Sequence, residues 1–342
     1  MLKKNRNKNS RFWFIQLTLV FMLLSGIILA ATLGKYPVSP LESLQIIGEF
    51  ILGRASSAST MTQNVVLGLR VPRIFASVLV GAVLSISGAA YQGIFKNPLV
   101  SPDFLGVSSG ASIGAAIAIL LSLSSFYISI FAFGFGLLAV LITVTIPAIM
   151  GNRSNIMLVL SGIIVGTAMS SVLGFIKFIA DPYTQLASIT YWTMGSFAYI
   201  TLADLAVILP ILLIPTIILI LIAWWIDVLS MGEDEAKTLG VRVGLIRGIA
   251  IVCSTLLTAG SVALAGTISW VGLIIPHFGR MLVGPSHRKL LPLCGLLGGV
   301  FMLLVDTLTR TLGTVEMPVS IITGLLGAPV FVWLLFRQRR NI

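Results

Sequence analysis

Apolar residues gather in ten runs, at about 12–33, 74–95, 104–121, 126–150, 156–180, 203–226, 246–264, 267–283, 290–312 and 319–336. Most charged residues fall in the intervals between them. A helix of about 20 apolar residues crosses the hydrocarbon of a bilayer, whereas a soluble helix keeps one polar face. With 57% hydrophobic and 10% charged residues and a mean hydropathy of +1.06, the 342-residue chain has more apolar surface than a soluble core can bury. Lipid is therefore its solvent. The pattern predicts an all-α polytopic membrane protein with ten transmembrane helices, in one transmembrane domain over 1–342.

An even number of spans puts both termini on one side, and the basic residues say which. The 22 Lys and Arg against 11 Asp and Glu do not form a soluble basic domain of the kind that binds nucleic acid. They cluster at span ends, as orientation requires. Lys3, Lys4, Arg6, Lys8, Arg11, Lys96, Arg153, Lys237, Arg242, Arg247, Arg280, Arg288, Lys289, Arg337, Arg339 and Arg340 fall on one side, and only Lys35, Arg54, Arg70, Arg73, Lys177 and Arg310 on the other. The first side is the cytoplasm, so both termini are cytoplasmic. The run from Phe12 to Leu33 is longer than a signal-peptide core and lacks a small-x-small exit, so it reads as an uncleaved first span.

Residues 34–69 form a long external connection. Ser39, Pro40 and Glu42 make a capping-box start, followed by Leu41, Leu44, Ile47 and Ile51 at helical spacing, which predicts a helix along the outer surface. The ASSAST stretch at 55–60 reads as a flexible return. Gly260, Gly266, Gly272 and Pro276 interrupt the pattern over 246–283, where a broken or re-entrant segment is expected. Gly106, Gly110 and Gly114 repeat every four residues, as do the pairs Gly162 with Gly166 and Gly295 with Gly299, and imply close helix packing. Cys253 and Cys294 read as packing residues. His277 and His287 lack a surrounding carboxylate pattern, so no metal site is expected.

The most charged interval between two long apolar runs is DVLSMGEDEAKTLGVRVGLIR at 227–247. Glu233, Asp234 and Glu235 suit a helix N-terminus, and Gly240 suits the left-handed residue that stops a helix after Leu239. Ala236 and Leu239, three apart, would form a small apolar face. A two-turn helix between spans is either a solvated connector or a shape that a partner grips.

What the sequence lacks narrows function. There is no G-x-x-x-x-G-K-[ST] phosphate loop, no His-Glu-x-x-His, and no Ser-Lys or Ser-His constellation at plausible spacing. The chain is therefore not expected to be an enzyme. Asp306 is the one intramembrane acid that stands out, with Arg310 one turn later to pair with it. A proton-coupled carrier normally holds more buried titratable groups.

RVPR at 70–73 and LVGAVLSISGAAYQGIFKNPLVSPDFLGVSSGASIG, which ends at Gly114, closely resemble the FecCD-type family of ABC importer permeases for iron-siderophores, haem and vitamin B12. GEDEAKTLGV at 232–241, GTISWVGLIIPHFGRMLVGPSHRKLLP at 266–292, VDTLTR at 305–310 and EMPVSIITGLLGAPVFVWLL at 316–335 continue the match in the family's order. The resemblance implies a multi-pass protein of the cell membrane that pairs with a second permease subunit, identical or paralogous. It implies two cytoplasmic ATPase subunits carrying ATP-Mg, an extracytoplasmic binding protein, and no cofactor on this chain. It makes 227–247 a cytoplasmic coupling loop, with Gly232, Glu233, Ala236, Leu239 and Gly240 in the helix that docks an ATPase. It gives Asn97, Pro98 and Leu99 to a cytoplasmic gate, with Ser154 and Asn155 near a second gate element where this chain departs from the family's hydroxyl-rich pattern. It makes Arg70, Arg73 and Arg310 receivers of acidic residues from the binding protein; snorkelling, or neutralisation of Asp306 by Arg310, is the plainer reading. The expected cargo is a ferric siderophore, with haem, cobalamin or an oxyanion as alternatives. A secondary carrier is the alternative of a different class.

Overall fold

In hydrocarbon the backbone must satisfy its own hydrogen bonds, and this chain does so almost entirely through helices. The computed structural model describes residues 2–151, 154–313 and 315–339. Arg153 and Arg340, counted above as cytoplasmic, lie outside the described residues, as do the side chains of Lys3, Lys4, Arg6, Lys8, Arg337 and Arg339. The helices are α1 Leu2–Thr32, α2 Pro40–Ile51, α3 Thr60–Gln63, α4 Val71–Phe95, α5 Val107–Leu120, α6 Ser125–Ile149, α7 Asn155–Ile179 and α8 Gln185–Thr193. They continue as α9 Leu202–Leu221, α10 Ala223–Met231, α11 Glu233–Thr238, α12 Val243–Ala265, α13 Val271–Val283, α14 His287–Thr311 and α15 Val319–Arg339. A π-helical stretch, Asn64–Arg70, joins α3 to α4, and a 3-10 turn, Pro102–Leu105, precedes α5. Among the described residues, seven helices are long and apolar enough to cross a membrane, and α5, α13 and the Val319–Leu334 part of α15 are shorter apolar helices.

The centre of the bundle is α4, buried along most of its length and surrounded by α14, α12, α13 and α9. Its small residues allow this. At Gly88 a Cβ would overlap the carbonyl oxygen of Gly272, so α13 crosses α4 backbone against backbone. Polar pairs tie α4 to α12: Ser87 Oγ lies 3.2 Å from Thr258 Oγ1, and Tyr91 Oη 3.1 Å from Thr255 Oγ1. Gly110 and Gly114 likewise bring α5 onto the backbone of α6 at Phe135 and Phe131. Gly106 does not share that face, as the four-residue repeat had implied. At φ +81° it takes the left-handed turn between the 3-10 turn and α5.

The interruption over 246–283 is a real break: α12 ends at Ala265, and α13 starts only at Val271 after Gly266 at φ +71° and Trp270 at φ +74°. A tryptophan in that region is uncommon. Its ring is held by Phe331 of α15, at 6.0 Å between centroids. The freed backbone finds partners on an element that hydropathy did not predict, α8, whose end meets both α12 and α15. The Ser196 amide donates to Ala265 O at 2.9 Å, the Val319 amide to Gly195 O at 3.0 Å, and Thr267 Oγ1 to Thr193 O at 2.6 Å.

Three further expectations need correction. The run at 203–226 is two helices, because the chain turns at Ile222 between α9 and α10. On α2, Ser39 accepts from the Glu42 amide at 3.2 Å as expected, but the inward residues are Ser43 and Ile46, packed near Val38 and Val66, while Leu41, Leu44 and Ile51 face outward. The ASSAST stretch is not a loose return: Ser59 caps α3 and Gln45 Nε2 donates to Ser57 Oγ at 3.3 Å.

Candidate functional site

Charged and polar side chains collect in three places, which coincide with the three groups of residues singled out in the sequence. The first is α11 with its flanks. Three acids lie in its first turn, where their charge complements the helix dipole, and Gly240 at φ +75° stops it after Leu239. The Glu233 carboxylate accepts from the Arg247 guanidinium, pinning the start of α11 to α12, and Lys237 pairs with Asp234 at 3.1 Å on the exposed side. Ala236 and Leu239 do not make one face. Ala236 is wholly buried in a small core with Val228, Leu229, Val241, Val243 and Ile246, whereas Leu239 is 60% exposed. The physical reason is that the helix needs a seat on its own chain, and the methyl group fits between α10 and α12. The side of α11 turned away from this seat carries Asp234, Glu235, Lys237 and Leu239.

Behind this helix lies a pair that sequence spacing missed. Asp227 of α10 receives the His287 backbone amide at 2.6 Å and lies 2.7 Å from His287 Nδ1, while Ser286 Oγ donates to its other oxygen at 2.9 Å. Partial burial pushes the Asp227 carboxyl up, but the hydrogen bonds from His287 and Ser286 outweigh it and hold it below the usual carboxylate range. Ser286 shares the carboxylate rather than the imidazole, so the three residues have no nucleophile-to-base contact and cannot run triad chemistry. The 60 residues between the partners hid them; a rare charged residue at the end of an apolar run was the available signal.

The second place is the end of α4. Lys96 takes the left-handed cap at φ 51°, and Asn97 Oδ1 accepts from the Leu99 amide at 2.9 Å, which stiffens Asn97-Pro98-Leu99 into a lip. Asn155 reaches across from α7, its Nδ2 3.4 Å from Ile94 O, and Ser154 caps α7 by accepting from the Met157 amide at 3.3 Å. The two elements predicted separately thus meet. Asn97 and Asn155 line one cleft of about 330 Å³ with Phe95, Val100, Ile156 and Val159.

The third place corrects the expectation of free cations at the outer ends of spans. Arg70, Arg73 and Arg310 are only 5%, 6% and 7% exposed. Arg70 donates to Ala31 O at 2.6 Å and to the carbonyls of Thr32 and Tyr36, holding the end of α1. Arg73 bonds Asp306 at 2.7 Å, Glu316 at 2.7 Å and Thr309 at 3.3 Å. Arg310 lies 3.4 Å from Asp306 and donates to Ala30 O at 3.2 Å. The expected Asp306–Arg310 pair is present, but Arg73 holds Asp306 more closely. A buried guanidinium needs partners for its donors, and carboxylates and helix-end carbonyls of the same chain supply most of them; Arg310 Nε has only the 3.4 Å charge contact with Asp306. Glu316, at the start of the last matched block, escaped sequence reading because it lies 243 residues from Arg73. Among the described residues, no three His, Cys, Asp or Glu converge as metal ligands.

Known proteins resemble this chain over most of its length. The sequence profile of the FecCD transport family matches residues 21–337. The molybdate import system permease protein MolB of Haemophilus influenzae is 38% identical over 327 residues, 94% of this chain and 95% of that one. A probable iron chelatin transport system permease protein of Helicobacter pylori is 40% identical over 275 residues, 80% of this chain and 83% of that one. Among solved structures, an inward-facing metal-chelate type ABC transporter superposes with a TM-score of 0.83 at 35% identity, over 95% of this chain and 99% of that one.

Proposed function

The chain belongs to the FecCD transport family of multi-pass inner-membrane ABC importer permeases, and from that membership we propose that it forms the translocation path for a ferric siderophore. The observation that carries the metal-chelate reading is the likeness, over nearly the full length of both chains, to a metal-chelate type transporter. An oxyanion is the second reading, favoured by the 38% identity to a molybdate permease over 94% of this chain.

In this proposal the seven long and three shorter apolar helices make ten spans of a single domain over 1–342, with both termini cytoplasmic on the strength of the basic-residue asymmetry. The loop at 227–247 docks a partner ATPase that binds ATP-Mg, through Leu239 and the acidic start of α11. Gly232, Ala236 and Gly240 shape and seat that helix. Asn97, Pro98, Leu99, Ser154 and Asn155 form the cytoplasmic gate, and a second permease subunit completes the path. An external binding protein delivers the cargo to the outer end, where Arg70, Arg73 and Arg310 frame the surface through their own chain's carbonyls and carboxylates. Glu316, partly open beside Arg73, is the residue through which docking could reach that network.

The test is uptake by proteoliposomes holding the whole complex, with the binding protein outside and ATP inside, using radioactive ferric siderophore and molybdate in parallel. Ferric siderophore uptake that needs ATP and survives an uncoupler supports the reading. Molybdate uptake alone replaces the cargo, and uptake that collapses with the uncoupler returns the secondary carrier.

A further inference from the structure

Asp227 opens the 227–247 interval, and its pair with His287 lies between α11 and the lip at Asn97. Three hydrogen bonds to one carboxylate lock the middle of α10 to the start of α14. Nε2, the other ring nitrogen of His287, is buried and has no hydrogen-bond partner among the described residues. A buried ring nitrogen left unsatisfied is unfavourable, so its retention asks for a reason. The reason visible in the fold is contact. Nε2 presses on Gly93 in the last turn of α4, where a Cβ would overlap it, and Ile226, the residue before Asp227, closes on the same glycine. Gly93 in turn sits four residues before Asn97, whose amide is held by Gln92 O at 3.2 Å. On the other side, Val228 and Leu229 follow Asp227 directly and form the seat of Ala236 in α11. An unbroken line of packed groups therefore runs from α11 through α10 and the imidazole to the lip at Asn97.

We propose that His287, oriented by Asp227, is the positioning residue through which displacement of α11 reaches the end of α4 and moves the gate. The ring works as a strut. Because Gly93 offers no side chain that could yield, α10 and α14 cannot advance on α4 without pushing its backbone, and a packed contact of this kind has two arrangements rather than a continuous range. The inference rests on the coupling and gate assignments of the preceding section.

The test uses the complex of this chain with its ATPase subunits in proteoliposomes. A Leu99→Cys reporter is labelled with a water-soluble maleimide from the cytoplasmic side, without nucleotide and after trapping with ATP and vanadate; Cys253 and Cys294 are buried. Trapping should change the labelling rate by about threefold or more in the reporter background, and His287→Ala should bring that ratio to about one while the ATPase subunits still co-purify. Asp227→Asn, which keeps one acceptor oxygen for the His287 amide and puts an NH2 group opposite Ser286 Oγ, should give an intermediate loss. Gly93→Ala should jam the contact when His287 is present and cost clearly less once His287→Ala has removed the ring and left only the Ile226 side chain to give way. That non-additivity separates a strut from a residue that only supports the fold. The inference is overturned if the ratio survives His287→Ala, if it is lost only together with yield and assembly, or if the Gly93 and His287 effects simply add. A reporter that does not respond in the otherwise unaltered complex sinks the gate assignment itself, and the inference with it.

Discussion

Asp306→Asn is the sharpest probe of the outer cluster. The carboxylate is fully buried and has two guanidinium groups beside it, at 2.7 Å for Arg73 and 3.4 Å for Arg310. Removing one partner of a buried ion pair typically costs about 3–5 kcal/mol, because the other charge stays desolvated. Here the loss is shared unevenly. Arg73 keeps Glu316 and Thr309, whereas Arg310 keeps only the carbonyls of Ala30 and Leu33. That places the expected cost near the lower end, about 3 kcal/mol, which at about 2 °C per kcal/mol lowers the thermal midpoint of the purified chain by about 6 °C. Adding Arg310→Met to Asp306→Asn removes the stranded cation and should recover part of the loss, although Arg310→Met alone is destabilising. The measurement is thermal unfolding in detergent, followed by size-exclusion and intrinsic fluorescence. A midpoint within about 1 °C of the parent in Asp306→Asn would mean that the cluster is solvated and its arginines are free for other work.

Three further outcomes are expected. Ala236→Glu places a carboxylate among Val228, Leu229 and Ile246 and should open 232–241 to limited proteolysis, whereas Leu239→Glu should leave the digestion pattern unchanged and weaken ATPase co-purification; equal digestion of both would contradict the inward seat of Ala236. Asn155→Ala with Asn97→Ala, which removes the two amides at the cleft, should raise ATP-independent leak of a small solute from proteoliposomes, and an unchanged leak with normal uptake counts against the gate. Asp227, held below its ordinary value of 3.8 in the folded chain, contributes stability that is full above that value and lost as pH falls through the lower, folded one. Thermal midpoints should therefore show an Asp227-dependent drop below about pH 4, absent in Asp227→Asn.

What could be read from the sequence depended on how local the signal was. The start and stop of α11 were legible because its acids and Gly240 act within a few residues of themselves. Which way Ala236 faces was not, since a two-turn helix offers several faces and the choice is made by Val228 on one neighbour and Ile246 on another. The break after Ala265 announced itself through glycines, but α8, which completes it, did not. QLASITYWT mixes polar and aromatic residues without an apolar period, and its place is fixed by hydrogen bonds from residues some 70 to 130 positions away. Asp306 was expected to find Arg310 one turn away; its nearer partner comes from the far end of the chain. Charge balance would have pointed there, because Arg73 is also an ion at the end of an apolar run.

The Arg73–Asp306 contact also sets a clock on biogenesis. The two residues are 233 positions apart, so at about 5–20 residues per second Arg73 leaves the ribosome roughly 10 to 50 seconds before its counter-ion exists. During that interval α4 is already a candidate for insertion while its guanidinium has no carboxylate, and the headgroup layer or the insertion machinery must hold it at the membrane surface. The helix that ends up most enclosed is therefore among the first to be made and among the last to be completed. Its neighbours α12, α13 and α14 arrive one after another to close around it, and the ion pair can form only as α14 emerges.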